Sequence, residues 1–321
     1  MATEPMAVRS VPLKRIADLQ ANVERVIRGK PEVVQLSLAA LLAHGHILLE
    51  DVPGVGKTTL ANAIARSLSL SFHRIQFTSD LLPADIVGVT IFNQEFQDFE
   101  FISGPIFANI LLADEINRAT PKSQSALLEA MSDGMVSVEK RRIALPNPFL
   151  VIATQNPVEH VGTYPLPESQ LDRFLIRLRI GYPNTADEKL LIRAGGAGEA
   201  LEGLQPVLTL EDILDLQSRV PEVHAEESLL DYLMSIVYAT RSDPEVSLGV
   251  STRGALSYFK ACQAFAMVRG RDFVIPEDVK YLGPAVLSHR IVLRNRQMMR
   301  ADFAPEVAFV ERLIAGIPVP R

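Results

Sequence analysis

The segment 48–60, LLEDVPGVGKTTL, carries the residues best suited to chemistry. Gly54 and Gly56 lie in a loop between an apolar run and a helical pattern. Glycines let backbone N–H groups turn inward around phosphates, Lys57 can reach the outer phosphates, and the Thr58 hydroxyl can bind Mg²⁺ at a helix start. The segment predicts a phosphate-binding loop for a nucleotide, with binding residues Val52, Pro53, Gly54, Val55, Gly56, Lys57, Thr58 and Thr59.

One position departs from the usual G-x-x-x-x-G-K-[ST] pattern, because Asp51 stands where the first glycine is expected. An aspartate is tolerated there only if the position needs no positive φ and makes no close approach to a phosphate. The departure leaves the class of site unchanged, and it leaves the nucleotide affinity open.

Two carboxylates follow the apolar run 110–113. Asp114 is placed to hold Mg²⁺ through water, and Glu115 points to the opposite side of the strand end, where it can act as the base that polarises an attacking water. Two acids after a strand are usually only a polar strand end, but after a phosphate loop the catalytic interpretation is favoured. The predicted metal ligands are Thr58 and Asp114.

A further polar residue, Asn156, follows the apolar run 149–154. Ligands of open α/β sheets bind at the carboxyl ends of neighbouring strands, so Asn156 can reach the outer phosphate or the attacking water. Asn followed by Pro is, taken alone, more often part of a turn. We expect Asn156 to join the same site.

Short apolar runs alternate with helical patterns from about residue 34 to residue 183, which predicts a mostly parallel sheet flanked by helices. The first four strands are expected to be buried on both faces and the last to be a more exposed or an edge strand. Helices are expected at 58–68 and after Thr120, and a hairpin with a basic tip at 134–145. The predicted strands are 46–49, 71–77, 110–113, 149–154 and 176–180.

After residue 183 strand signals fade, which predicts a second, smaller, all-helical domain. Three glycines within 194–200 predict a loop or hinge. The predicted division is a poorly ordered N-terminus at 1–17, an α/β nucleotide-binding domain at 18–183 and a helical domain at 184–321. The expected helices of the last domain are 186–194, 210–219, 228–240, 251–267 and 276–289.

The composition is that of a globular protein, with 48% hydrophobic and 22% charged residues. A formal net charge of −6 makes nucleic acid a poor default partner. Cys262 is the single cysteine, and the chain opens on no signal-like stretch. The apolar tracts are too short for a membrane span. We therefore predict a cytoplasmic location and no membrane anchor.

Longer strings resemble the AAA+ ATPases and, within them, the MoxR group, over nearly the whole chain from 18 to 317. The resemblance implies a P-loop AAA+ core with a five-stranded sheet and a smaller helical lid. It also implies a hexamer that hydrolyses Mg-ATP to remodel or mature a protein client, with a separate von Willebrand A domain protein as partner. It rests on RIQFTSDLLPADIVG (74–88), GPIFANILLADEINRATPKSQSALLEAM (104–131), ATQNP (153–157) and YPLPESQLDRF (164–174).

The same resemblance assigns roles to single residues. Asp114 and Glu115 are similar to the Walker-B pair, Asn156 to sensor one, and Arg173 to the arginine finger that enters a neighbour's ATP site. An arginine supplied in trans is worth about 10³ to 10⁵ in rate, so hydrolysis would require assembly. Without the family, a surface salt bridge would be favoured for Arg173, and Arg118 is the next finger candidate.

In the lid, Arg253 resembles a sensor-two residue placed to reach the γ-phosphate, and Ile27 lies in the segment that lines the adenine pocket. His289 and Arg290 are expected to cap or pair locally. Two inserts, 81–103 and 134–145, resemble elements that contact clients. We nevertheless expect core packing for the first insert's aromatics and a solvated tip for the second insert's cations; these are Phe92, Phe96, Phe99 and Phe101, and Lys140, Arg141 and Arg142.

Two other functions stay open. A switch or scaffold would bind ATP with little turnover, but Glu115 and Arg173 argue against it because a switch needs neither. A DNA motor is the third possibility, since related AAA+ groups with similar inserts include helicases. The acidic charge counts against it.

Overall fold

The computed structural model describes residues 6–138, 141–156, 162–295 and 304–320. The predicted hairpin tip at Lys140 and residues 1–5 of the predicted N-terminal segment lie outside them. The helices are α1 (Met6–Glu24), α2 (Pro31–Leu42), α3 (Lys57–Ser67), α4 (Pro83–Val87), α5 (Pro121–Asp133), α6 (Glu168–Leu171), α7 (Thr185–Arg193), α8 (Gly198–Glu202), α9 (Leu210–Arg219), α10 (Glu227–Ser242), α11 (Thr252–Val268), α12 (Pro276–Leu287) and α13 (Ala304–Ala315). The strands are β1 (Ile47–Glu50), β2 (Phe72–Gln76), β3 (Gly88–Asn93), β4 (Asp98–Ser103), β5 (Ile110–Asp114), β6 (Met135–Val138), β7 (Arg141–Ala144), β8 (Leu150–Gln155), β9 (Ile176–Leu178), β10 (Val246–Leu248) and β11 (Val292–Leu293).

A five-stranded parallel sheet in the order β2-β5-β8-β1-β9 forms the centre of the fold. All five predicted strands are confirmed. The side chains of β1 alternate between two hydrophobic cores, with Ile47 and Leu49 in one and Leu48 in the other. Both faces of the central strands are therefore covered, as their unbroken apolar runs predicted.

The predicted edge position of the last strand is confirmed, but the burial of both edge strands differs from the prediction. On β2, His73, Arg74 and Gln76 are exposed, so this strand is not buried on both faces. At the other edge, β9 is buried although it carries Arg177. The reason is that α12 and α2 pack against β9, and the Arg177 guanidinium donates to Glu50 at 2.9 Å. A buried cation needs such a partner.

Polar capping residues stand at the starts of three helices after residue 183. Asn184 accepts hydrogen bonds from two N–H groups of the first turn of α7, and Thr209 does the same for one N–H of α9. Ser251 caps α11 by accepting from Gly254 N at 2.9 Å. The five predicted helices are confirmed, and α8 lies in the predicted glycine-rich loop. The domain is not all-helical, because β10 and β11 form an antiparallel pair.

The boundary predicted between residues 17 and 18 does not coincide with the end of a secondary-structure element. Residue 18 falls inside α1, whose Ile16 and Leu19 are buried. One hydrophobic core runs from α1 and α2 through one face of the sheet into the helices after residue 209. Among the described residues, none of the helices combines the length and the apolar character needed to cross a membrane.

Two hairpins project from the sheet. The predicted hairpin at 134–145 is confirmed as β6 and β7. In the other insert, β3 pairs with β4. Core packing was wrong for three of its aromatics, because Phe96 and Phe99 are 74% and 69% exposed and Phe92 is 47% exposed. Phe92 and Phe99 contact each other edge to face, whereas Phe101 is half-buried against Phe107, which packs on the second core.

Candidate active site

The loop between β1 and α3 has the backbone that phosphate binding requires. Gly54 and Gly56 have φ of +84° and +96°, a region that side chains with a Cβ rarely adopt. A Cβ at either position would meet open space, so the glycines are needed for their conformation rather than for room. Gly56 directly precedes α3, and the first N–H groups of that helix point into the loop.

The Lys57 side chain contacts the Asp51 backbone. The Lys57 ammonium donates to the Asp51 carbonyl oxygen at 2.9 Å, within the loop it is expected to serve. Asp51 is buried and has a negative φ, so the backbone condition for replacing the first glycine is met. The ends of β1 and β8 also meet here, since Asp51 N donates to the Gln155 carbonyl.

Asp114, the predicted Walker-B carboxylate, lies at the end of β5 and is oriented by two side chains. Its Oδ1 accepts from the Thr154 hydroxyl at 2.6 Å, and its Oδ2 accepts from Arg74 Nη2 at 2.7 Å. An oxygen donor set of one carboxylate, the Thr58 hydroxyl and nucleotide phosphates is the kind that Mg²⁺ takes. The residues present therefore fit a nucleotide-bound magnesium ion.

Glu115 has a left-handed backbone, with φ of +57° and ψ of +48°, which is strained for a residue with a Cβ. Its N–H donates to the Thr154 hydroxyl at 2.8 Å. Its carboxylate accepts from Gln76 Nε2 at 2.8 Å and from Arg118 at 3.0 Å. Arg118, the alternative finger candidate, thus contacts the predicted catalytic glutamate of its own chain.

Asn156 is buried immediately after β8. Because β8 lies between β5 and β1, its end adjoins both the Walker-B strand and the phosphate loop. The structure therefore gathers the loop, Asp114, Glu115 and Asn156 at the carboxyl edge of the sheet.

A cavity of about 480 Å³ opens beside the phosphate loop. The predicted adenine-pocket residue Ile27 lines it, together with Gly54, Gly56 and Thr59. The opposite wall comes from residues 180–183 and from α7, including the apolar Leu191 and Ile192. The cavity offers an apolar side for a base and a loop for phosphates.

Arg173 and Arg253 line a second cavity of about 250 Å³, together with Gly45, His46 and Lys260. Gly45 and His46 precede β1, whereas the phosphate loop follows it, and four strand residues span about 10 Å. The structure thus places Arg253 near the amino end of β1, and its role toward a γ-phosphate stays a prediction. The lid packs so that α11 begins near the amino end of β1, beside Arg173.

Arg173 is held against α5, where it donates to the Leu128 carbonyl and to Ser132 Oγ. Both of its neighbours are fixed by the lid. Asp172 accepts from Arg290 Nε at 2.8 Å and from the Ser251 hydroxyl at 2.9 Å, and Arg290 also donates to the Phe174 carbonyl. Arg290 also donates to the Val286 carbonyl one turn back in α12, so the predicted local capping is confirmed alongside the long-range pair with Asp172.

His289 and Arg290 are both buried at this joint. Burial lowers the pKa of Arg290 to about 10, and the ion pair with Asp172 opposes that shift. Burial, with the adjacent Arg290, lowers the pKa of His289 well below its ordinary value. His289 Nε2 lies 3.0 Å from the Phe174 carbonyl oxygen and 2.8 Å from Arg290 Nη1, so this nitrogen faces both an acceptor and a donor.

Two family models match the chain: the ATPase family associated with various cellular activities (AAA) over residues 46–176, and the AAA lid domain over residues 238–312. Chaperone MoxR1 of Mycobacterium tuberculosis is 42% identical over 309 residues, which cover 94% of this chain and 81% of that protein. This chain belongs to the MoxR family of AAA+ ATPases.

Other relatives match the chain over almost its full length. The uncharacterized protein YeaC of Bacillus subtilis is 50% identical over 299 residues, 93% of each chain. A crystal structure of a Cytophaga hutchinsonii protein assigned as an ATPase superposes with a TM-score of 0.87 at 35% identity, and covers 98% of both chains. The MoxR fold seen here is thus shared by that structure.

Several residues of this MoxR site were missed by sequence reasoning. Thr154 contacts both Walker-B residues, and Arg74 and Gln76 reach them from the edge strand β2. A hydroxyl directly before the QN pair was the available signal for Thr154. Arg74 and Gln76 gave none, because their partners lie about 40 residues away and only the strand order brings them together.

Proposed function

We propose that this MoxR-family chain hydrolyses ATP with Mg²⁺ at interfaces between subunits and uses the energy to remodel or mature a protein client. The observation that carries the proposal is the position of the two groups of predicted site residues. The nucleotide loop, Asp114 and Glu115 lie at the carboxyl ends of the strands. Arg173 and Arg253 lie near the amino end of β1. Each subunit therefore has two different halves of a site.

The chain's own residues divide the work. Backbone N–H groups of the loop and Lys57 bind the phosphates, and the apolar wall that includes Ile27 receives the base. Mg²⁺, held through Thr58 and Asp114, neutralises charge on the phosphate oxygens when bound. Glu115 breaks its contacts with Gln76 and Arg118 and then accepts a proton from the attacking water. Asn156 helps to orient that water.

Arg173 and Arg253 act on the ATP of the neighbouring subunit. Their cations stabilise charge that develops on the transferred phosphoryl group, so a lone subunit has little activity. A closed head-to-tail ring repeats this interface, and we propose a hexamer. The ring works in the cytoplasm with a separate von Willebrand A domain protein and a protein client, and the relative named chaperone MoxR1 supports the client role.

An ATP-binding switch with little turnover is the second candidate. It is favoured by the contacts on both Walker-B carboxylates, since Arg74 holds Asp114 and Gln76 holds Glu115. In a switch these contacts would persist with nucleotide bound. In the ATPase they are exchanged in each cycle.

The test is ATP turnover per subunit measured against protein concentration, with molecular mass followed in parallel by light scattering with and without Mg-ATP. Turnover per subunit is expected to rise as hexamers form. A constant rate across the change from monomer to ring would contradict a shared site. Nucleotide binding with no turnover at any concentration would support the switch.

A further inference from the structure

We propose that Asp51 is a positioning residue that fixes the base side of the nucleotide cavity against the phosphate loop. The inference rests on the proposed binding of ATP at that loop. On this proposal, nucleotide binding depends on the aspartate that stands in place of the usual first glycine. Restoring the missing glycine is therefore expected to weaken ATP binding.

The Asp51 carboxylate accepts three backbone hydrogen bonds. Oδ1 accepts from Val52 N at 2.9 Å, within the loop. Oδ2 accepts from Ile180 N at 2.8 Å and from Gly181 N at 2.6 Å, 129 and 130 residues along the chain. Asp51 is only 8% exposed, so water competes little for these bonds.

The residues that Asp51 holds are part of the cavity. Ile180, Gly181, Tyr182 and Pro183 line the wall opposite the phosphate loop. They also lead directly into α7, whose Leu191 and Ile192 complete the apolar side. The hydrogen bonds to Ile180 and Gly181 therefore determine where the base-binding wall stands relative to the phosphates.

The same residue also contacts the phosphate side through its backbone. Its N–H donates to the Gln155 carbonyl at the end of β8, and its carbonyl accepts from the Lys57 ammonium. These two bonds do not involve the Asp51 side chain. A glycine at position 51 can keep them while it loses the contact with the wall.

A carboxylate close to the triphosphate would repel it if its charge were not compensated. The three N–H donors compensate that charge, and they also make the bonds stronger than those to a neutral acceptor. The repulsion and the positioning act in opposite directions on phosphate affinity, so two probes can separate them. ATP contacts both walls, whereas inorganic tripolyphosphate contacts the loop alone.

The experiment compares the two probes with Mg²⁺ by isothermal titration calorimetry on the full chain and its Asp51→Gly and Asp51→Asn variants. Asp51→Gly is expected to bind ATP about tenfold more weakly, because two N–H groups of the wall lose their acceptor. It should bind tripolyphosphate as tightly as the wild type or more tightly, because an anion has gone. Asp51→Asn keeps one acceptor oxygen and should lose less ATP affinity than the glycine variant.

A matched control is Asp278→Asn, which alters another buried carboxylate, one that accepts from Ile275 N and pairs with Arg271 outside the nucleotide cavity. It should lower the melting temperature and leave the ratio of the two affinities unchanged.

Two outcomes would overturn the role of Asp51 alone: unchanged ATP affinity in Asp51→Gly, or equal losses for both probes. If Asp51→Gly does not fold, an Asp51→Asn variant with a wild-type affinity ratio overturns it as well. A wild-type chain that binds neither probe would instead overturn the proposed function.

Discussion

At the scale of single residues, Thr154 connects the two Walker-B acids. Its hydroxyl donates to Asp114 Oδ1 and accepts from Glu115 N, so one atom orients the proposed metal ligand and supports the left-handed backbone of the proposed base. Such a conformation costs about 1 to 3 kcal/mol in a residue with a Cβ. A buried hydroxyl is needed here because β8 is closed to water.

Replacing Thr154 by valine keeps the shape and removes both hydrogen bonds. We expect Thr154→Val to bind ATP within a few-fold of the wild type and to turn it over about tenfold more slowly, since misplacement of Asp114 and Glu115 affects the chemical step. Steady-state kinetics with separate kcat and KM would show this. Thr154→Ser, which keeps the hydroxyl, serves as the control, and an unchanged kcat in the valine variant would refute the role.

Glu115 and Lys57 separate binding from chemistry. Glu115→Gln should bind ATP normally and hydrolyse it at least about a hundredfold more slowly, because the amide cannot accept the proton of the attacking water. Lys57→Ala should abolish binding. Fluorescent-nucleotide titration and phosphate release measure the two effects, and normal turnover by Glu115→Gln would exclude Glu115 as the base.

At the scale of elements, His46 joins the start of β1 to two neighbours. Its Nδ1 accepts from Val151 N of β8, and its Nε2–H donates to the Met131 carbonyl of α5, each at 3.0 Å. Only a neutral ring can make both bonds. Burial lowers the pKa of His46 to about 4, and the bond to Met131 opposes that shift.

This buried histidine makes stability depend on pH. Between the ordinary pKa of 6.5 and the folded pKa of about 4, the unfolded chain binds more protons, so the free energy of unfolding falls as pH decreases. From pH 7.5 to pH 5 the loss due to His46 is about 2 kcal/mol, and His289 adds to it in the same direction.

Urea unfolding at the two pH values measures this loss. His46→Gln, which cannot titrate, should be less stable at pH 7.5 but should lose less between pH 7.5 and pH 5 than the wild type. Gln217→Ala is the control, because it removes a buried hydrogen bond to the Leu41 carbonyl without removing a titrating group, and it should lose as much stability between the two pH values as the wild type. An equal loss in His46→Gln and wild type would contradict the assignment.

At the scale of the whole molecule, the lid and the Arg173 segment form one unit. Asp172 binds both Arg290 and the cap residue Ser251, which lies two positions before Arg253. A movement of the lid therefore carries Arg173 and Arg253 together. This joint favours the action of both arginines on a neighbouring subunit.

Mixing inactive variants tests whether the arginines act in trans. Glu115→Gln and Arg253→Ala are each expected to be nearly inactive alone. When mixed, a Glu115 from one variant and an Arg253 from the other meet at some interfaces, so turnover should return. If Arg253 acted on its own subunit's ATP, every site in the mixture would lack one of the two residues.

Glu115→Gln mixed with Arg173→Ala provides the parallel test for the finger. Recovery in both mixtures would support a shared site with two arginines. Recovery only in the mixture that contains Arg173→Ala would assign Arg253 to its own subunit, against the proposal that it acts on a neighbour.

The sequence by itself determined the strands, the phosphate loop and the Walker-B acids. These features depend on neighbours within about ten residues, where apolar runs, glycine spacing and cap residues act directly on the backbone. The five strands and the loop therefore lie where their patterns predicted.

Only the tertiary structure decided which partners these residues meet. The exposed Phe96, the cavity that pairs Arg253 with Arg173, and the bonds from Asp51 to Ile180 all depend on how segments far apart in the chain pack together. Strand order and lid packing determine such contacts, and both result from the burial of whole faces rather than from any local pattern.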